Sequence, residues 1–154
     1  VGDKAFCTGG NTKEYAEYVK KQIPDADIFD VVEFDAKNLV NYDALIFGAR
    51  AYMGSIQGVK FLKKNWDVLK DKKVFLFAVG IRLPNDKSSE DSYVSIPEEI
   101  RNVIQFIKVP GRIAPDKLTM WDRLIVKIVK PPMIDLVDYK AIDPFILKIK
   151  SVIK

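Results

Sequence analysis

Two hydrophobic rhythms alternate along the chain. Short continuous apolar runs fit strands buried on both faces, and stretches with apolar residues three or four apart fit helices packed on one side. Lys4 to Cys7 is a first short strand. From Asn11 to Ile23, Tyr15, Val19 and Ile23 recur every four residues with Ala16 beside them, a helix stopped by Pro24-Asp25. Asn11 is placed to cap it, with Glu14 three residues on as in a capping box. Ile28 to Phe34 reads as a second strand broken by Asp30 and Glu33, and Ala44 to Phe47 as a central one. Gly58 to Lys70 is helical, with Val59, Phe61, Leu62, Trp66 and Leu69 at helical spacing, and Lys73 to Gly80 is another apolar strand.

The polar stretch from Leu83 to Ser95 reads as a long surface loop. Ser95, Pro97 and Glu98 then open a helix that runs through Phe106. Lys108 to Ile113 holds a last strand interrupted by Pro110-Gly111. Two helices close the chain, Lys117 to Lys130 and one starting at Asp143-Pro144. Strands alternating with helices predict an α/β fold, an open and mostly parallel sheet with helices on both faces. Ligands of such sheets bind beyond the carboxyl ends of the strands. That rule brings together three loops: Thr8 to Thr12, Ala49 to Gly54, and Gly80 onward.

Composition narrows the chemistry. The 154 residues suit one domain with one sizeable core, and 48% apolar with 30% charged residues is ordinary for a globular protein. There is no histidine, which removes Ser-His-Asp triads, Cys-His pairs and the usual zinc sites. A single cysteine, Cys7, leaves no internal disulfide, CxxC motif or iron–sulfur cluster, and points to a reducing cytosol. Redox chemistry here would therefore need a bound organic cofactor.

"TGGNT", Thr8 to Thr12, stands between the first strand and the first helix. Its glycines let the backbone approach an anion, Thr8 and Thr12 add hydroxyl donors, and the helix contributes the positive end of its dipole. Neither GxxxxGK[ST] nor GxGxxG is present. A monophosphate fits this loop better than a triphosphate or a dinucleotide, and a plain capped turn is the competing reading.

These residues also resemble a known family. "TGGNT" opening a helix is similar to the phosphate loop of the flavodoxins, with one extra glycine, and "GARAYMG", Gly48 to Gly54, resembles their second, ring-contacting loop. "GRIAPDKLTMWDRLIVKIVK", Gly111 to Lys130, resembles the C-terminal signature of the flavodoxin-like, menaquinone-linked protoporphyrinogen oxidases, and Ser92-Tyr93 falls where that branch has a similar pair. The resemblance implies a flavodoxin-like three-layer sandwich with five parallel strands in the order 2-1-3-4-5, and FMN as cofactor. Thr8, Gly9, Gly10, Asn11 and Thr12 would then hold the phosphate. Ala49, Arg50, Ala51, Tyr52 and Gly54 would line one side of the isoalloxazine, with Tyr52 offering a face for stacking, and Val79, Gly80, Ile81 and Arg82 the other. The first strand and loop are shorter than the family's usual form.

Charge adds a separate clue. Ile107 to Lys130 carries six basic residues (Lys108, Arg112, Lys117, Arg123, Lys127, Lys130) against Asp116 and Asp122, a net +4 that equals the charge of the whole chain. Thr119, Arg123, Lys127 and Lys130 form a narrow polar stripe among aliphatic residues and Trp121. The wide apolar surface can be covered by the chain's own helices, by a second copy in a homodimer, or by a membrane surface, where basic and Trp residues favour anionic headgroups. Nucleic acid is disfavoured, because no basic stripe interleaves with exposed aromatics. The first expectation is a cytosolic FMN-dependent oxidoreductase that passes electrons from an organic substrate to a quinone or another acceptor. A non-enzymatic carrier docking on a redox partner protein is the alternative; carrier flavodoxins are strongly acidic, whereas this chain has a pI near 9.0. A domain that kept the fold without the flavin is a third reading.

Overall fold

The computed structural model describes residues 4–7, 10–52, 54–80, 92–112 and 136–153, with side chains from Thr12 onward and without that of Tyr52. Strand β1 (Lys4–Cys7) leads into helix α1 (Gly10–Gln22), followed by β2 (Asp27–Asp30), β3 (Ala44–Tyr52) and the two-residue β4 (Ser55–Ile56). Helices α2 (Val59–Lys64) and α3 (Trp66–Leu69) precede β5 (Lys73–Gly80). Helix α4 (Glu98–Arg101), β6 (Gln105–Pro110) and α5 (Asp143–Val152) follow. Among the described residues, five strands run parallel in the order β2-β1-β3-β5-β6, and β4 folds back antiparallel on β3. The α/β class expected from the alternating rhythms is the one observed.

The apolar run of β5 is continuous because both of its faces are covered. Phe75, Phe77 and Val79 pack with Tyr15 and Val19 of α1 and with Phe145 and Ile149 of α5. Val74, Leu76 and Ala78 point the other way, toward Leu62, Leu69, Ile96 and Ile100. Two apolar layers therefore sandwich the sheet, and the segments that follow β3 and β5 leave from buried strands.

Several element boundaries differ from the sequence expectation, each for a local reason. Helix α1 begins at Gly10, so Asn11 lies inside it and is not its cap; Glu14 instead pairs with Arg112. Strand β2 ends at Asp30, whose carboxylate accepts from the Val32 amide while its carbonyl accepts from Glu33 and Phe34, closing a turn in place of the expected strand to Phe34. The expected helix over 58–70 is two pieces, divided at Asn65, where φ is −109° and the side chain donates to the Phe61 carbonyl at 2.8 Å.

Ser95 does not cap a helix through Phe106. Its hydroxyl donates to the Ser92 carbonyl at 2.6 Å, α4 starts behind Pro97 with no side-chain cap, and the chain is extended from Gln105 as β6. Tyr93 meets Phe106 at 4.8 Å between ring centroids and lies under the Arg101 guanidinium. The C-terminal helix begins at Asp143 as expected, but a 3-10 turn, Tyr139–Ile142, runs directly into it. Most of the expected surface loop (residues 83–91) and the helix over 117–130 fall outside the described residues.

Candidate functional site

Parallel strands put their carboxyl ends on one side of the molecule, so Cys7, Tyr52, Gly80 and Pro110 end at a common edge. Helix α1 starts three residues beyond the end of β1. The first N–H groups of a helix lack intrahelical acceptors, so the amides of Gly10, Asn11 and Thr12 are donors without a partner inside α1. No acidic residue occupies the first turn of α1. Thr12 is only 2% exposed, so its side chain is buried in the first turn of α1. Neutral donors at a helix N-terminus, with no lysine among them, suit a single phosphate group. Thr8 and Gly9 lie outside the described residues, as does the Asn11 side chain.

The second predicted segment has a different form from the loop expected. Ala49, Arg50, Ala51 and Tyr52 continue β3 as strand, with Ala51 opposite Ile56 and Tyr52 opposite Ser55 of β4. The Gln57 amide closes the ribbon on the Arg50 carbonyl at 2.9 Å. Gly54 sits at the turn with φ +75°, a conformation that side chains other than glycine rarely adopt. Only the turn stands clear of the sheet. Ala49 is buried among Leu76, Ala78 and Ile100, and Val79 lies in the opposite layer, so neither offers a side chain to a surface ligand. Arg50, half-buried, is in register with Val79 near the ends of the two central strands.

Gly80 ends β5 against Ala51 and Lys108. A methyl group at Gly80 would lie 3.2 Å from the Ala51 Cβ and 2.9 Å from the Lys108 Cε. The next ring-side positions, Ile81 and Arg82, fall outside the described residues, as does the Tyr52 side chain. On the far side of β5, Gly111 donates to the Gly80 carbonyl at 2.7 Å, and Leu136 donates back to the Gly111 carbonyl at 3.2 Å. The chain that departs after Arg112 therefore returns at its own base.

That base is tied to α1. The buried Tyr15 hydroxyl donates to the Pro110 carbonyl at 2.6 Å and accepts from the Asp138 amide at 3.1 Å. Glu14 receives the Arg112 guanidinium at 3.1 Å and the Tyr139 hydroxyl at 3.1 Å. Burial raises the Tyr15 pKa above the ordinary 10.0; burial, with the bond to Glu14, does the same for Tyr139. These tyrosines are anchors, neutral throughout the physiological range.

Lys108, counted by sequence within the net-basic segment 107–130, is 9% exposed and lies against Gly80 at the end of β5. The available signal was its place between Ile107 and Val109 in an otherwise apolar run. Among the described residues no group of acidic, His or Cys side chains is arranged to hold a metal ion, and no helix is long and apolar enough to cross a membrane.

Comparison with solved structures gives the same architecture. The Fusobacterium nucleatum flavodoxin bound to flavin mononucleotide aligns with a TM-score of 0.59 at 16% identity, over 99% of this chain and 98% of its own. A flavodoxin from the domain Archaea aligns at 0.57 and 16% identity over 84% of this chain and 97% of its own. The two-electron reduced Megasphaera elsdenii flavodoxin aligns at 0.56 and 14% identity, over 69% and 82%. At these identities the likeness speaks for the fold. The sequence itself matches the flavodoxin domain from residue 6 to residue 135, from within β1 to the return at the base of the site. A match over that much of the chain, on a sheet of this order, means that the protein belongs to the flavodoxin domain family.

Proposed function

We propose that the chain binds FMN non-covalently at the carboxyl edge of the sheet and works as an oxidoreductase, drawing electrons from an organic substrate of the protoporphyrinogen type and delivering them to a quinone. The observation that carries the cofactor is the flavodoxin domain match, joined to the buried Thr12 in an acid-free first turn of α1. The amides of Gly10 to Thr12 and the Thr12 hydroxyl hold the phosphate, with Thr8 and Gly9 completing the loop. The Gly54 turn and the chain from Gly80 through Arg82 flank the ring, and Tyr52 supplies a stacking face. FMN, when bound, supplies the capacity to accept and return electron pairs. The protein fixes its position and surrounds it with chosen charges.

The substrate class rests on the sequence from Gly111 to Lys130 and on Ser92-Tyr93. The basic and apolar character of Ile107 to Lys130 suits contact with an anionic membrane surface, where a quinone is found. Lys108 is too buried to join that contact and Arg112 is paired with Glu14, which leaves Lys117, Arg123, Lys127 and Lys130 as the cations for it. A carrier flavodoxin is the second reading, favoured by the family match and opposed by the net charge of +4.

The test is a visible absorption spectrum of the purified protein before and after adding FMN. Flavin bands that survive desalting, and weaken in Thr12→Ala, are expected. A protein that stays colourless at saturating FMN overturns the cofactor. Flavin reduction by protoporphyrinogen followed by reoxidation with a quinone separates the enzyme from a carrier, which shows no such turnover.

A further inference from the structure

Lys108 lies in β6 between two residues of the opposite core layer, in register with Ala78 of β5. Its side chain does not run outward. The Cε stands 2.9 Å, and the Nζ 3.6 Å, from the point where a Gly80 Cβ would be, and the Ala51 methyl lies 3.2 Å from that same point. The stem therefore leans from the Ala78 level toward the carboxyl edge and crosses the end of β5 in the direction of β3. Glycine at position 80 makes room for it. Burying an ammonium carries a large desolvation penalty, so sequences place one inside a sheet rarely. The end of its stem lies against the end of β5, one of the two segments assigned to the flavin ring, and Ala51 of the other, β3, approaches the same point.

We propose that Lys108 is the cation of the flavin site, stabilising the negative charge that the ring carries once reduced; the inference rests on the FMN reading above. Transfer of an electron pair with uptake of one proton leaves one negative charge on a flavin that began neutral. A fixed positive charge beside it favours the reduced state over the oxidised state and so raises the potential. In a partly dry site that effect is much stronger than in water. The charge's position alone is required, whatever else the ammonium touches.

The experiment compares the two-electron midpoint potential of bound FMN, by dye equilibration, in wild type, Lys108→Met, Lys108→Gln and Lys108→Arg. The neutral variants are expected to bind oxidised FMN within about threefold of wild type and reduced FMN about tenfold more weakly. That difference is a potential lower by about 30 mV for a two-electron couple. Lys108→Arg is expected to keep the wild-type value. If Lys108→Met fails to fold by circular dichroism, Lys108→Gln carries the comparison. Neutral variants at the wild-type potential, or an arginine variant that shifts with them, overturn the role while leaving FMN binding intact. A wild-type protein that takes up no FMN overturns the FMN reading, and this inference with it.

Discussion

The hydroxyl of Tyr15 donates to the carbonyl of Pro110 across 2.6 Å of space and 95 positions of sequence. The same oxygen accepts from the amide of Asp138, so one phenol joins α1, the end of β6 and the returning chain. Tyr15→Phe keeps the ring contacts with Phe77 and Tyr139 and removes only this junction. The Pro110 carbonyl then loses a partner in a buried setting and the Asp138 amide in a partly buried one. The expected loss is about 1–3 kcal/mol of unfolding free energy, read from urea denaturation with an unchanged slope.

The same residue sets an alkaline limit. Burial holds the Tyr15 pKa above its ordinary 10.0, so the folded state keeps the proton more tightly than the unfolded state does. Between the two values the unfolded chain binds fewer protons, and stability falls as pH rises. The Tyr15 contribution is whole below about pH 10 and is lost as pH climbs through the folded value. Tyr18, through its bond to Asp143, and Tyr139 are shifted in the same direction. The gap between wild type and Tyr15→Phe, measured by denaturation across this range, is expected to narrow above about pH 10.

How legible a feature was in the sequence depended on how local its cause is. The β5 run from Lys73 to Gly80 and the i, i+4 spacing of Tyr15, Val19 and Ile23 are properties of a few consecutive residues, and both elements were placed within a residue or so of their bounds. Side-chain competition for the backbone was harder to see. Asp30 ends β2 and Asn65 divides the 58–70 helix, and at both places the side chain engages a nearby backbone group. Of the site, the helix start with Thr12 was legible from motif. The continuation of β3 through Tyr52 was not, because "GARAY" lacks the bulk that marks a strand and is held extended by its neighbours β5 and β4. Lys108 was missed because charge was counted along the sequence, while its burial comes from elements far from it in the chain.

Gly58 tests the packing of the layer beneath the β3–β4 ribbon. Its φ of +87° is left-handed, and a methyl group there would stand 2.7 Å from the Phe47 Cε1, a ring already stacked on Phe61. Gly54 shares the positive φ but faces open space. Gly54→Ala is expected to cost about 1–2 kcal/mol for its conformation alone. Gly58→Ala is expected to cost more, because the Phe47 ring must also move. Equal losses of stability in the two variants would mean that the Phe47 contact yields freely.

The Glu14–Arg112 pair ties α1 to the base of the chain's excursion at 3.1 Å, with both side chains about a quarter exposed. Glu14→Gln removes the charge and keeps an acceptor for Tyr139. A loss of about 1 kcal/mol at low salt is expected. It should shrink in about 1 M NaCl, where the screening length falls to roughly 3 Å. A loss independent of salt would assign the contribution to hydrogen bonding and not to charge.

Thr12 separates a phosphate contact from a packing contact. The residue is buried in the first turn of α1, so both its methyl and its hydroxyl have surroundings to satisfy. Thr12→Val keeps the shape and removes the hydroxyl, and Thr12→Ser keeps the hydroxyl and removes the methyl. A hydrogen bond to a charged group contributes about 1.5–3 kcal/mol, so Thr12→Val should weaken FMN by at least about tenfold while Thr12→Ser stays close to wild type. Riboflavin, which has the ring and no phosphate, supplies the control. In fluorescence titrations its affinity should be the same for wild type and Thr12→Val, because the lost interaction reaches only the phosphate. If riboflavin weakens as much as FMN does, Thr12 acts through the shape of the loop, and the phosphate is held by the backbone amides of Gly10 to Thr12 alone.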